Sequence, residues 1–360
     1  MLQQDSMATS RSDAPTRASA SRALRAWLLA VAALIFVMVI VGGATRLTES
    51  GLSITQWRPV TGVIPPLSQA EWAEEFARYK QIPQYSALNA DMTLDGFKTI
   101  FTWEWSHRLL ARLIGAAFIL PALWFWRSGR FRGAPGRPIA VAAGLLALEP
   151  IVGWWMVSSG LAERIEVAQD RLALHLLIAA ATFGALIYAA VGLNERPRAR
   201  AGAGFQAAAG ALVALIFCQL GLGALVAGLR AGLAYNTWPL MDGGLIPAGA
   251  FGLAPWPRSI VDDAATAQFD HRLIAYAVTL FALGLALAAQ RRAPRSALAW
   301  RAGALAALAT LQTALGIVTL LTAARIEFAL VHQALALALF GAAVANWRMT
   351  GMERVAETAR

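Results

Sequence analysis

The sequence predicts an all-α integral membrane protein: eight transmembrane helices forming two tandem four-helix bundles related by internal duplication. Three observations carry this prediction. Hydrophobic residues make up 58% of the 360-residue chain and charged residues only 14%, with a mean hydropathy of +0.54; both lie far from a soluble domain. The chain also holds eight apolar runs long enough to cross hydrocarbon, each needing ~20 residues. Finally, the four histidines, His107, His175, His271 and His332, each open a long apolar segment and fall into two repeating pairs.

The spans begin near Trp27, Ser106, Pro138, Leu172, Phe205, Phe269, Ala297 and Glu327. Inside the bilayer a helix satisfies its own backbone, so each run is a helix. The first follows a tail rich in Ser, Arg and Ala, for which a cleaved signal peptide over residues 1–45 is the competing reading. The long run from Ala26 to Val41 argues against it, as does the Gly42-Gly43 end that recurs where no cleavage is possible. Between the first two spans, residues 46–104 form a long outer loop. Within it Ser68 and Glu71 make a capping box ahead of Trp72, Phe76 and Tyr79, which predicts an amphipathic surface helix. Such a helix can shield a group bound beneath it or merely pack as a lid. The expected organisation is a tail at 1–25, an N-terminal half at 26–195, a linker at 196–204, a C-terminal half at 205–347 and a tail at 348–360.

The net charge of +10 follows topology. Arg11, Arg17, Arg22 and Arg25 precede the first span, and Arg127, Arg130, Arg132 and Arg137 fill the second connection. Arg196, Arg198 and Arg200 fill the fourth, Arg291, Arg292, Arg295 and Arg301 the sixth, and Arg348, Arg354 and Arg360 follow the last. The alternate connections carry most of the acids, including Glu49, Glu71, Glu166, Asp170, Asp262 and Asp263. The positive-inside rule then puts both termini in the cytoplasm. No soluble basic domain gathers these charges, so no nucleic-acid partner is expected; the lipid bilayer is the expected surrounding. Cys218 is the only cysteine, which excludes an intramolecular disulfide; it reads as a small apolar filler.

The repeat runs beyond the histidines. His107-Arg108-Leu109 matches His271-Arg272-Leu273 at an offset of 164 (271 − 107), and His175 matches His332 at 157 (332 − 175). Gly42/Gly223, Gly51/Gly232 and Trp57/Trp238 share an offset of 181 (223 − 42). Four spans per half is an even number, so the halves enter the membrane in the same sense and form parallel repeats. Spans two, four, six and eight run inward, and each starts near its His. All four imidazoles therefore lie in the outer half of the membrane. Two imidazoles from facing helices at one depth can hold a haem iron from opposite sides. Zinc would need more ligands and has no nearby thiol.

Neighbouring residues refine this reading. Arg108 and Arg272 directly follow a His, and a haem propionate is a fitting partner for each; interfacial snorkelling is the alternative. Glu104 shares a helical face with His107, while its repeat mate is Gln268. An ionisable group in one half and an amide in the other suggest unequal jobs and mark the half of Glu104 as the reactive one; an interfacial acid with no such role is the alternative, and the residues by themselves favour it. Trp103, Trp105, Trp154 and Trp155 fit an interfacial belt. Glu149, in mid-span before Pro150 and opposite Gln312 in the repeat, is expected to make a structural hydrogen bond rather than to catalyse.

These motifs resemble a known family. The segments Phe97 to Arg108, Gly153-Trp154-Trp155-Met156-Val157, Ala227 to Gly232, Asn236 to Met241, and Phe269-Asp270-His271-Arg272 together resemble haem A synthase, proteobacterial and mitochondrial branch, over residues 27–347. The resemblance implies an oxidoreductase acting on a CH or CH2 group, which converts the C8 methyl of haem O through an alcohol to a formyl group. The product is haem A for terminal oxidases. It implies haem b as resident cofactor on His271 and His332 near Arg272, and haem O facing His107 and His175 near Arg108. It also matches Glu104 to the family's functional carboxylate. An inner-membrane setting follows, with haem O synthase and oxidase assembly factors as partners and an electron acceptor of unknown kind. The chain departs from many bacterial relatives in lacking a cysteine pair in the first outer loop, which excludes a thiol relay there. The alternative function is a duplicated bis-His membrane cytochrome b that carries electrons; a haem transporter would need a pathway to both membrane faces.

The charge pattern makes a direct prediction. In a Cys218→Ser background, an impermeant thiol reagent should label Ser86→Cys but not Ser128→Cys in intact spheroplasts. The reverse pattern would invert the topology.

Overall fold

A computed structural model describes residues 5–131, 136–193 and 202–351, the side chains of residues 5–20 aside. Arg132, Arg196, Arg198, Arg200, Arg354, Arg360 and most of the expected 196–204 linker and 348–360 tail lie outside the described residues. The chain begins with α1 (Asp5–Leu47), whose stretch from Ser21 is apolar enough to span a membrane. The outer connection then carries a short 3-10 turn (Thr61–Val63), α2 (Gln69–Tyr79) and α3 (Pro83–Leu88). There follow the spans α4 (Leu94–Arg127), α5 (Gly136–Ser158), α6 (Gln169–Gly192) and α7 (Ala203–Gly228). Two short helices, α8 (Ala231–Ala234) and α9 (Pro257–Asp262), precede the last spans, α10 (Ala264–Arg292), α11 (Ala297–Leu321) and α12 (Ile326–Gly351).

Eight of these helices are long and apolar enough to cross a bilayer, in the order expected. The expected entry points need three corrections, the first at Trp27, since α1 is already apolar enough to span from Ser21. Helix α4 starts at Leu94, well before Ser106, because Thr93 caps it by accepting the Gly96 N–H at 3.2 Å. Its first three turns bury Phe97 and Phe101 against Trp72 and Phe76 of α2, so helix persists ahead of the expected entry point. Helix α10 starts at Ala264, before Phe269, where Asp263 accepts the Thr266 N–H at 2.9 Å. The capping box on α2 is as expected. The Glu71 carboxylate accepts from the Ser68 and Leu67 N–H groups, which hold its pKa below the usual carboxylate range.

Packing follows the repeat. In the C-terminal half α7, α10, α11 and α12 close a ring of neighbours, 7 on 10, 10 on 11, 11 on 12 and 12 on 7. In the N-terminal half α1 packs on α4 and α6, and α5 packs on α6. Between halves, α6 meets α12, while α6 on α7 has its counterpart in α12 on α1. The contact at the centre is reciprocal. A Cβ added at Gly184 would lie 3.0 Å from Phe340 Cε1, and one at Gly341 would lie 2.7 Å from Phe183 Cε1. Each ring thus covers the glycine beside its own repeat mate. Further out, Phe36 meets Phe183 and Phe217 meets Phe340, with ring centroids 6.4 and 5.8 Å apart. Large apolar side chains such as Leu120, Leu280 and Trp300 remain exposed on the outside, as a hydrocarbon surrounding requires.

Because a methyl at position 341 has no room against Phe183, Gly341→Ala should lower the thermal midpoint of the purified protein in detergent. The overpacking cost is ~1–3 kcal/mol. Gly341→Ala with Phe183→Leu should recover most of the loss; an unchanged midpoint in the single variant would refute this packing account.

Candidate functional site

The four histidines occupy one site type, built twice. His107 stands on α4 and His175 on α6, within electrostatic range of each other. His271 on α10 and His332 on α12 form the second such pair. Every ring rests on a glycine of the preceding span. Ideal Cβ atoms at Gly42 and Gly153 would lie 3.3 Å from His107 Nε2 and 3.1 Å from His175 Cε1. At Gly223 and Gly316 they would lie 3.1 and 2.9 Å from Cε1 of His271 and His332. A methyl at any of the four would press on the ring, which is the physical reason for glycine here.

Three of the four rings also have a polar partner one helical turn before that glycine. The Gln219 amide nitrogen lies 3.0 Å from His271 Nδ1 and 2.9 Å from the His271 carbonyl. Gln312 repeats this on His332, at 3.0 Å to each. Both Oε1 atoms are buried without a partner. A half-turn of either amide would present that oxygen to an Nδ1–H, the tautomer an imidazole needs to bind metal through Nε2. Glu149 holds the third ring: its Oε2 lies 2.5 Å from His175 Nδ1, an ion-pair distance not aligned as a hydrogen bond. At the fourth, beside His107, the equivalent residue is Met38.

Glu104 is buried and fully engaged. Its Oε2 accepts from Ser53 Oγ and the Ile54 N–H, both at 2.7 Å. Its Oε1 accepts from Arg108 Nε at 3.0 Å and Nη2 at 2.5 Å. Arg108 also donates to the Gln56 and Ile54 carbonyls, so both residues pin the outer loop to α4. The other half is looser. Arg272 donates from Nη2 to the Tyr235 carbonyl at 3.0 Å, while its buried Nε and Nη1 have no partner. Gln268 donates to the same carbonyl at 3.2 Å. Two orphaned guanidinium donors beside paired imidazoles suit a propionate-bearing porphyrin. Among the described residues no cluster of three His, Cys, Asp or Glu gathers to hold a bare metal ion. A cavity of about 420 Å³ has a lining that includes Glu163, Arg164, Asp170, Arg171 and Asp262, which is charged and suits no porphyrin.

Sequence reasoning missed Gln219, Ser53 and the role of the glycines. A signal was available: Glu149, Gln219 and Gln312 each stand four residues before a glycine on the span preceding a His. It also missed an outer ionic knot. Arg46 donates to Glu166 at 2.6 Å, and Arg230 pairs with both Glu49, at 2.6 Å, and Glu166. Glu49 and Arg230 are themselves separated by the 181-residue offset, so repeat mates bind each other across the halves. The tryptophans assigned to a belt divide: Trp103 and Trp155 are exposed, whereas Trp154 stacks on Trp57 at 6.1 Å.

Fold and site together define a class, a multi-span membrane protein with two paired-imidazole centres. The family model described as cytochrome oxidase assembly protein matches residues 25–344. Curated relatives named heme A synthase are 53% identical over 88% of this chain and 87% of the protein in Rhodopseudomonas palustris BisA53. Those of Mesorhizobium japonicum and Rhizobium meliloti are 50% and 49% identical, over 92% and 91% of this chain and 91% and 89% of theirs. The chain belongs to the COX15-CtaA family of cytochrome oxidase assembly proteins.

The glycine seats are testable. Gly316→Ala should reduce the haem retained per polypeptide after purification, because its methyl displaces His332. Gly303→Ala, whose Cβ would meet no atom within 4 Å, should retain the wild-type amount. Equal retention by both would remove the seat from the account.

Proposed function

We propose that this chain is a haem A synthase, oxidising the C8 methyl group of haem O through the alcohol to the formyl group of haem A. One observation carries the reading beyond the relatives' name. Two equivalent imidazole pairs differ in their carboxylates, Glu104 and Glu149 on one side against Gln268 and Gln312 on the other. A centre that only holds haem needs neutral hydrogen-bond partners. A centre that oxidises its occupant develops positive charge and releases protons, for which carboxylates are suited.

On this reading His271 and His332 hold a resident haem b, with Gln219 and Gln312 orienting their rings and Arg272 donating to a propionate. When bound, that haem supplies one-electron transfer. His107 and His175 face the substrate haem O. Glu104 stands one turn before His107 and is the catalytic residue of the proposal. Ser53, Ile54 and Arg108 hold it in place through four hydrogen bonds, so that the carboxylate is aimed before the substrate changes. Arg108, paired with Glu104, acts on a propionate only through donors it shares. The outer helices α2 and α3, packed on the start of α4, exclude water from above. The Arg distribution supports cytoplasmic termini and haem sites toward the outer side of the inner membrane. Haem O synthase would supply the substrate, and oxidase assembly factors would receive the product.

The test is haem extraction and chromatography from cells expressing variants at wild-type level. Glu104→Gln, which copies Gln268, should keep the fold and haem b while haem O or a partly oxidised intermediate accumulates. The loss of several kcal/mol at a developing charge corresponds to on the order of a hundredfold or more in rate. His271→Ala or His332→Ala should instead lose haem b. Normal haem A from Glu104→Gln would reject its role, and haem b alone in the wild type would favour the electron carrier.

A further inference from the structure

The halves differ most at the seam between their second and third spans. In the C-terminal half α10 packs along α11, whereas α4 has no comparable packing on α5. At the centre of the closed seam Thr279 Oγ1 meets Thr313 Oγ1 at 2.8 Å and approaches the Ala309 carbonyl at 3.5 Å. The repeat places Gly115 and Pro150 at these two positions. Neither has a side-chain donor. A Cβ added to Gly115 would meet no atom within 4 Å, and Pro150 is exposed. Proline also deprives α5 of a backbone hydrogen bond to residue 146. A second proline, Pro121, lies in α4 where α10 has the buried Leu285. At the two positions of the threonine contact the N-terminal half thus lacks the side chains that tie α10 to α11.

The seam leads to the imidazoles. Glu149 adjoins Pro150 and contacts His175, and Gly153, one turn further, seats the same ring. Exposed apolar residues, Leu113 on α4 and Leu148 and Ile151 on α5, carry the hydrocarbon surface up to it. The outer route is obstructed, because Trp72 and Phe76 pack on Phe97 and Phe101 over the start of α4.

We propose that the α4–α5 seam is a lateral portal, through which the substrate haem passes between bilayer and N-terminal site with its isoprenoid tail lying in the seam. The proposal rests on reading that site as the substrate's. An isoprenoid chain loses free energy with each methylene it exposes to water, so a path from lipid to iron has to stay apolar. A group that exchanges at every turnover needs such a path; a resident group does not, and the threonine-tied seam fits the latter.

Cross-linking the seam tests this. In a Cys218→Ser background, Gly115→Cys with Pro150→Cys is bridged by a short bis-methanethiosulfonate and later released with reductant, in membranes supplied with haem O. Bridging should abolish haem A formation while haem b content stays unchanged, and reduction should restore it. Thr279→Cys with Thr313→Cys, bridged likewise, should not alter turnover. Haem A formed at the unbridged rate through a fully bridged α4–α5 seam would overturn the portal. Absence of haem A from the unmodified protein would overturn the functional reading instead, so the two failures are distinct. Should the paired variant not insert, Gly115→Trp serves alone, because the space beside Gly115 admits a ring. It should raise the haem O concentration for half-maximal rate with haem b unaltered; an unchanged value would reject the portal.

Discussion

An imidazole within an apolar bundle needs a close seat for its ring and polar partners for its nitrogens. That requirement organises this molecule. The rings sit on α4, α6, α10 and α12, and each span before them supplies a glycine at van der Waals range. On three of those spans the residue one turn earlier supplies Glu149, Gln219 or Gln312. The pairing of helices follows, since a ring can meet its glycine only if the first span of a half lies beside the second and the third beside the fourth. The reciprocal Phe183/Gly341 and Phe340/Gly184 contacts then fix one half against the other at the same close approach.

On this common frame the halves diverge by a few side chains. Exchanging Gln268 for Glu104 brings an anion beside His107, and Ser53, Ile54 and Arg108 offset its burial with four hydrogen bonds. A buried carboxylate without such partners would be costly. Exchanging Gln312 for Glu149 places a carboxylate, in place of an amide, 2.5 Å from His175 Nδ1. Exchanging Thr279 and Thr313 for Gly115 and Pro150 unties one seam. On the proposed reading, binding, chemistry and access differ between two halves that share one order of spans.

The outer layer joins these differences to the fold. The loop after α1 supplies both the Glu104 cage and, through Glu49, the ionic knot with Arg230 and Glu166. Its aromatic helices bury Tyr79, Phe97 and Phe101 on the extended start of α4. A segment that reads as a connection in the sequence therefore aims the catalytic carboxylate of the proposal and caps the N-terminal half.

The number of spans, their order and the two paired-His groups were set by the sequence alone. A run of some twenty apolar residues has no stable alternative to a membrane helix, and rare polar residues within such runs stand out by their cost. The asymmetry of Glu104 against Gln268 was legible for the same reason. Tertiary structure decided what no one-dimensional pattern holds. It extended α4 outward to Leu94, gave Glu104 its bonds to Ser53 and Ile54, and turned glycines spread over four spans into ring seats. It also made Glu149 the neighbour of His175 and left Arg272 with two free donors. All of these depend on distances between helices far apart in the chain. Those distances follow from how side chains of both helices fit, which the composition of either helix does not specify.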